Sequence, residues 1–224
     1  MQITAIHDLA NVDLEAALQR LPFFRKIRAS SESQFKQLMG FCRIVEMGSD
    51  EVILRRGDKS TWLYFLLRGE LLVFADTDED EAPVNHILPG EMFGDLALIG
   101  DSERQATVCS SPSGSGVRLF ACDASCFGML EDDYPVSLET KLIFYRMMTD
   151  SVRWKLEKNR MAQPQHELSK RMISLPVFRG VKDGLEELHA LVEQTIALAD
   201  ILLAWNSETN ASASYISCEE KSAI

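Results

Sequence analysis

The residues best suited to chemistry lie in one short stretch. Pro89-Gly90-Glu91-Met92-Phe93-Gly94-Asp95-Leu96-Ala97-Leu98-Ile99 is followed by Arg104-Gln105-Ala106-Thr107-Val108. Glycines here let the backbone approach a ligand closely. A short helical turn beginning near Asp95 would offer N–H groups and the positive end of a dipole, which suits a phosphate. Arg104, nine residues beyond Asp95, would add a charge-assisted and often bidentate contact to the same phosphate. A phosphate repels a carboxylate, so Asp95 needs a separate task, and accepting a hydrogen bond from a sugar hydroxyl fits it. The plainer alternative is that Arg104 pairs with Asp95 or Glu91 in a protein that binds nothing at this place.

Other chemistries find less support. His7, His86, His166 and His189 are scattered, and nothing groups them into a ligand set or a catalytic dyad. Cys42, Cys109, Cys122, Cys126 and Cys218 are odd in number and irregular in spacing, which suits reduced thiols better than a disulfide framework. Cys122 and Cys126 are a close pair without a neighbouring histidine, so a zinc site is not expected. The run Asp76-Thr77-Asp78-Glu79-Asp80-Glu81 begins like a calcium loop. Its sixth position is Glu81 instead of glycine and its twelfth is Ile87 instead of glutamate, so it reads as a solvated hairpin loop. No nucleophile–base pair is visible, so no enzyme is expected and neither is a metal or redox cofactor.

The elements that must position the 89–108 stretch follow from the hydrophobic period. Residues 1–40 read as helices, with Leu14, Leu18 and Leu21 at helical spacing and Pro22 as a stop. Ser31 and Gln34 form a capping pattern ahead of Phe35, Leu38 and Met39, and Gly40 follows as a C-cap. From residue 41 to 134 short segments rich in β-branched, Leu and aromatic residues alternate with Gly48, Gly57, Gly69 and Gly90. Many short strands predict an antiparallel roll. Trp62 to Leu67 is apolar on both faces, which predicts a strand buried on both sides. Residues 135–163 return to helical period, with Leu138, Leu142, Tyr145, Met148, Val152 and Leu156 in one stripe and Trp154 off it. A twin helix in a homodimer is the economical cover for that stripe, and the plainer alternative is that it packs on the same chain's roll. Residues 164–205 add a helical segment, Glu167–Ile173 and Asp183–Trp205, while 206–224 is polar enough to predict a disordered tail. The fold class is therefore α+β: an antiparallel β-roll flanked by N-terminal helices, a long C-terminal dimerisation helix and a helical appendage.

The chain has 224 residues and a formal charge of −11, from 34 acidic and 23 basic residues. That sign repels nucleic acid. The 183–205 segment carries no basic recognition helix, so a helix-turn-helix regulator is the least favoured reading. Met1 to Ala10 lacks the basic head and apolar stretch of a signal peptide, and no apolar run suggested a membrane span, so a cytoplasmic protein is expected.

The stretch Phe93-Gly94-Asp95-Leu96-Ala97-Leu98, with Glu103-Arg104-Gln105-Ala106-Thr107-Val108 after a spacer, closely resembles the phosphate-binding cassette of cyclic-nucleotide-binding domains. These domains occur in the catabolite activator family and in regulatory subunits of cAMP-dependent protein kinase. The family pattern is Phe-Gly-Glu-Leu-Ala-Leu, an equal spacer, then Pro-Arg-Ala-Ala-Thr-Val. Gly57-Asp58, Gly69-Glu70 and Gly90-Glu91 match the family's turn positions, and the resemblance runs from about residue 20 to 160. It implies cAMP or cGMP as ligand, with Arg104 on the exocyclic phosphate oxygens and Asp95 on the ribose 2′-hydroxyl. It also implies backbone N–H groups around Gly94, Leu96, Ala97 and Ala106 as the cradle, and Leu142, Tyr145 or Met148 as a cap for the base. Three residues depart from the pattern. Asp95 replaces glutamate and reaches ~1.5 Å less far. Gln105 stands beside the phosphate where the family has a small residue, and would either crowd the ligand or contact the base. Glu103 replaces proline and, with Asp101, adds negative charge. The reading is a sensor that binds a cyclic nucleotide, pairs with itself and signals through protein contacts of its C-terminal helices. The alternative is a roll that has lost its ligand and serves as a dimeric scaffold.

Overall fold

In a computed structural model, which describes residues 1–5, 12–75, 82–99, 103–114 and 116–222 (of 12, 13 and 209–222 the backbone alone), the change of period near residue 41 is a change of layer. The chain opens with β1 (Gln2–Ala5), α1 (Val12–Arg20), α2 (Pro22–Ser30) and α3 (Glu32–Met39). The helical reading of residues 1–40 is thus corrected at its start. Ile3 and Thr4 are β-branched, and β1 completes the open edge of the next strand, pairing Ile3 with Val45. Pro22 opens α2 instead of merely ending α1, because a helix's first position needs no N–H donor. Ser31 Oγ accepts the Gln34 N–H at 3.3 Å, the cap that fixes the start of α3.

The roll follows as β2 (Cys42–Met47), β3 (Val52–Leu54), β4 (Trp62–Arg68), β5 (Leu71–Phe74), β6 (Asn85–Ile87), β7 (Met92–Phe93), β8 (Thr107–Ser110) and β9 (Val117–Asp123). Two antiparallel sheets form, in the orders β1-β2-β9-β4-β7 and β3-β8-β5-β6. β4 is buried on both faces as its composition predicts. Tyr64 and Leu66 enter the lumen with Leu71, Val108 and Leu119, while Leu63 and Phe65 join the helix-side core with Phe23 and Phe24. Phe65 stacks on Phe23 at 6.2 Å between ring centroids, and Phe120 meets Phe24 edge-on at 4.8 Å. The roll therefore has its own filled lumen and a second, helix-covered core.

Three helices close the chain: α4 (Leu138–Ala162), α5 (Glu167–Ile173) and α6 (Leu185–Ser222). Ser137 Oγ caps α4 through the Thr140 N–H. The fully buried Lys141 donates its ammonium to the carbonyls of Met129, Leu130 and Asp132, pinning the loop between roll and helix. The stripe of α4 is covered within the chain: Leu142, Met148, Val152 and Leu156 are buried, and α6 lies along the helix. Arg146 of α4 grips Glu187 at 2.6 Å and Asp183 at 2.8 Å, Thr149 meets Thr195 at 2.6 Å, and His166 stacks on Trp205 at 4.6 Å. The cover that the periodicity sought in a twin helix is thus supplied by α6. Periodicity shows that a face needs a partner, not which segment provides it.

Two further differences concern α6. Leu185–Glu208 is long and apolar enough, by length and composition, to cross a membrane. Its Leu188, Leu198, Ile201, Leu202 and Trp205 are instead buried in the protein, the pattern of a core helix. The helix also continues to Ser222, where the composition predicted disorder. Elongating an existing helix is far easier than nucleating one, and the alanines and glutamates of 206–222 are compatible with it.

Candidate functional site

β7 pairs with β4 through Tyr64 and Phe93, and Gly94 then turns the chain at φ +82° into a 3₁₀ turn, Leu96–Leu98. The Gly57-Asp58 turn fixes the backbone of Arg104 from the other side. Gly57 N–H donates to Arg104 O at 2.9 Å, and Arg104 N–H donates to Asp58 O at 2.8 Å. These contacts aim the Arg104 side chain at the cassette, where it is 3% exposed. Its guanidinium donates to the carbonyls of Gly94 and Trp62, the latter at 2.6 Å, and its buried Nε has no hydrogen-bond partner. A Cβ on Gly94 would lie 2.7 Å from a guanidinium nitrogen, so glycine is required here for space as well as for φ.

The electrostatics of Arg104 are unusual. Burial pushes its pKa below the ordinary arginine value, and Tyr64, Asp95 and Asp58 oppose that shift only from a distance. Its hydrogen bonds go to carbonyls, not to Asp95 or Glu91. Glu91 is exposed and accepts the Leu88 N–H at 2.7 Å. The simple ion-pair reading of Arg104 therefore does not describe this site. A buried guanidinium held by neutral dipoles, with its Nε unpartnered, is stabilised by an anion. The residues present fit a phosphate.

Asp95 is 2% exposed, and its carboxylate is held from α4. Lys155 Nζ lies 2.7 and 2.6 Å from its two oxygens, and Ser151 Oγ donates to it at 3.0 Å. Ser151 and Lys155 were not legible as site residues. They stand four apart beside the apolar stripe of α4, a pattern shared by any solvated helix face. Of the other expected residues, Ala97 is buried in the turn, while Gly94, Leu96 and Ala106 are half-buried. Gln105 is exposed and donates its amide to Glu103 O at 2.9 Å, so the amide is engaged locally. Leu142 and Met148 are packed in the core, and Tyr145 is half-buried with its hydroxyl pKa raised by burial. Tyr145 and Met148 line a cavity together with Ala97, Leu98 and Ile99.

Among the described residues the remaining candidates form no site. Cys42, Cys122 and Cys126 are free buried thiols, and burial raises the pKa of Cys42 and Cys126. No cluster able to hold a metal is found among the described residues. The acidic run Asp76–Glu81 and Asp101 lie outside the described residues.

Residues 44–121 match the family described as the cyclic nucleotide-binding domain. Over 80 residues the chain is 32% identical to the cAMP-dependent protein kinase type II regulatory subunit of Drosophila melanogaster, covering 36% of this chain and 21% of that protein. Over 112 residues it is 27% identical to a cGMP-dependent protein kinase of Toxoplasma gondii, covering 50% of this chain and 10% of that one. The chain thus spans about a fifth or less of the length of these two relatives. A solved cyclic nucleotide-binding domain from Methylobacillus flagellatus shares the fold with a TM-score of 0.51 at 18% identity, covering 70% of this chain and 88% of that one. Residues 44–121 of the roll thus match the cyclic nucleotide-binding domain, and the roll shares the fold of the solved domain.

Proposed function

We propose that this chain is a regulatory sensor that binds cAMP or cGMP and passes the signal to a protein partner without catalysing a reaction. The observation that carries the reading is Arg104, a buried cation bonded to carbonyls at a glycine turn, with an unused donor. The cyclic phosphate would neutralise it, and the ribose hydroxyl would fall to Asp95. A carboxylate has about four acceptor positions, so Asp95 can accept that hydroxyl beside Lys155. Doing so weakens its hold on α4, and α4 carries α6 through Arg146 and Glu187. Ligand binding then biases two packed positions of the C-terminal helices, which present the output surface. The kinase regulatory relatives support a protein output, and the acidic charge and continuous α6 argue against DNA. If two copies pair, the exposed Trp154 and Met161 of α4 are the apolar side chains available to them. A cytoplasmic location is part of the same proposal.

One observation favours a second reading. Asp95 is already satisfied by Lys155 and Ser151, as expected of a roll that serves only as a scaffold. A thermal-shift panel of cyclic and linear nucleotides separates the two. The sensor reading expects a rise in Tm with cAMP or cGMP that the linear nucleotides do not produce, and no shift with any nucleotide would overturn it.

A further inference from the structure

The segment joining α5 to α6 runs against the charge of the molecule. In a chain of charge −11, residues 168–182 hold four basic residues and no acidic one. Lys170 is paired with Glu167 at 3.0 Å, whereas Arg171, Arg179 and Lys182 have no ion-pair partner among the described residues. Three large aliphatic side chains stand among these cations: Ile173, Val177 and Val181 are 68%, 64% and 83% exposed. Scattered exposed aliphatics are ordinary, whereas apolar surface gathered within one short segment marks an interaction site. Both ends of the segment are anchored. Leu175 packs on the helix-side core, and Gln194 Nε2 of α6 donates to Pro176 O at 3.1 Å. At the far end Asp183 donates its N–H to Glu187 at 2.6 Å and pairs with Arg146 at 2.8 Å. Phe178 folds its ring over Gly180, where a Cβ would lie 2.5 Å from it, and leaves Val177 and Val181 outside. Among the described residues, no hydrogen bond engages the backbone from Val177 to Val181.

We infer that this connector, Arg171 to Lys182, is a docking surface for an acidic peptide segment of a partner protein, one with apolar residues between its carboxylates. The partner's carboxylates would meet Arg171, Arg179 and Lys182, whose charges nothing else compensates, and the two arginines can hold them bidentately. Its apolar side chains would cover Ile173, Val177 and Val181. Its backbone would meet the unengaged N–H and C=O groups of Val177 to Val181, because main-chain pairing gives an extended peptide its affinity. The same cations would attract an anionic bilayer, but a bilayer is broad enough to face the rest of this acidic chain. A peptide feels the local cluster alone, since charges further off than about 8 Å are screened at physiological salt. The surface deepens the protein-output reading above and rests on it for its role. Asp183 ties the connector to Arg146 of α4, and Gln194 ties it to α6, so a shift of α4 on ligand binding carries the connector with it.

The test is a fluorescence-anisotropy titration of the full chain with two labelled peptides, Glu-Val-Glu-Ile-Glu-Val-Glu and Lys-Val-Lys-Ile-Lys-Val-Lys. Wild type should bind the acidic peptide saturably and leave the basic one unbound. Arg179→Glu with Lys182→Glu should weaken the acidic peptide by about tenfold or more, and so should Val177→Ser with Val181→Ser. All four side chains are exposed, so both variants should melt as wild type does. No saturable binding of the acidic peptide by folded wild type overturns the assignment. Equal affinity in wild type and variants also overturns it, as does a loss confined to the charge variant, which would reduce the surface to ion attraction. Flotation with vesicles of phosphatidylserine and phosphatidylcholine reads the bilayer alternative, and co-flotation that the charge variant abolishes would overturn the peptide assignment. Thermal shifts of the same samples with cAMP and cGMP report on Arg104 independently, so failure of the nucleotide reading and failure of the docking surface are told apart.

Discussion

Replacing Lys155 by methionine removes one charge while keeping the aliphatic stem. Asp95 has 2% of its surface exposed and takes Lys155 Nζ on both oxygens, at 2.7 and 2.6 Å. In the variant only Ser151 Oγ, at 3.0 Å, remains as a direct donor. Removing one partner of a fully buried ion pair costs about 3–5 kcal/mol. The Lys155 side chain is 34% exposed, so water already weakens the pair. Exposed pairs contribute at most about 1 kcal/mol, which places the loss near 2 kcal/mol. For a chain of this size that corresponds to a fall in Tm of roughly 4–8 °C. Circular dichroism melts of wild type, Lys155→Met, Asp95→Asn and the double variant close a cycle that isolates the pair. Lys155→Met should be costly alone and nearly neutral once Asp95 is asparagine. Additive effects, or a single variant as stable as wild type, would refute the claim that this pair ties α4 to the cassette.

Gly94→Ala should lower stability by about 1–2 kcal/mol, the cost of a left-handed non-glycine residue. It should also abolish nucleotide binding, because its Cβ would lie 2.7 Å from the Arg104 guanidinium; melts and titrations on one sample read both. Lys141→Met strips the donor from the carbonyls of Met129, Leu130 and Asp132. The urea midpoint should fall by an amount equivalent to about 1–3 kcal/mol. The hydrogen bond from Arg146 holds the Glu187 carboxyl below its ordinary value of 4.5. A depressed folded pKa means stability that is complete above the unfolded value and is lost as pH falls through the folded one. Melts taken below pH 4.5 should therefore show a shallower acid decline for Glu187→Gln than for wild type.

The roll was legible because its signals are local. Gly57, Gly69, Gly90 and Gly94 all take positive φ, so a residue type was forced by backbone geometry at each. β4 announced its two-sided burial through six consecutive apolar residues, Trp62 to Leu67. The contact of Arg104 with the Gly94 turn was within reach of the sequence for the same reason, since Gly94, Asp95 and Arg104 fall within eleven positions. What stayed hidden depends on distance along the chain. Lys155 meets Asp95 across 60 positions, and Glu187 meets Arg146 across 41. Nothing in a lysine or a glutamate on a helix face names its partner. The stripe of α4 similarly stated that a cover was needed but could not distinguish α6 from a second copy. β1 was missed because four residues are too few for a period, and their pairing is decided by the edge of β2.

The most direct test of the sensor reading is isothermal titration calorimetry of cAMP and cGMP with wild type and with Arg104→Ala. Saturable binding of at least one nucleotide by wild type is predicted. In the variant, loss of a charged hydrogen bond worth roughly 1.5–3 kcal/mol should weaken it by one to two decades. No heat from either nucleotide with folded wild-type protein, or an Arg104→Ala variant that binds as tightly as wild type, would contradict it.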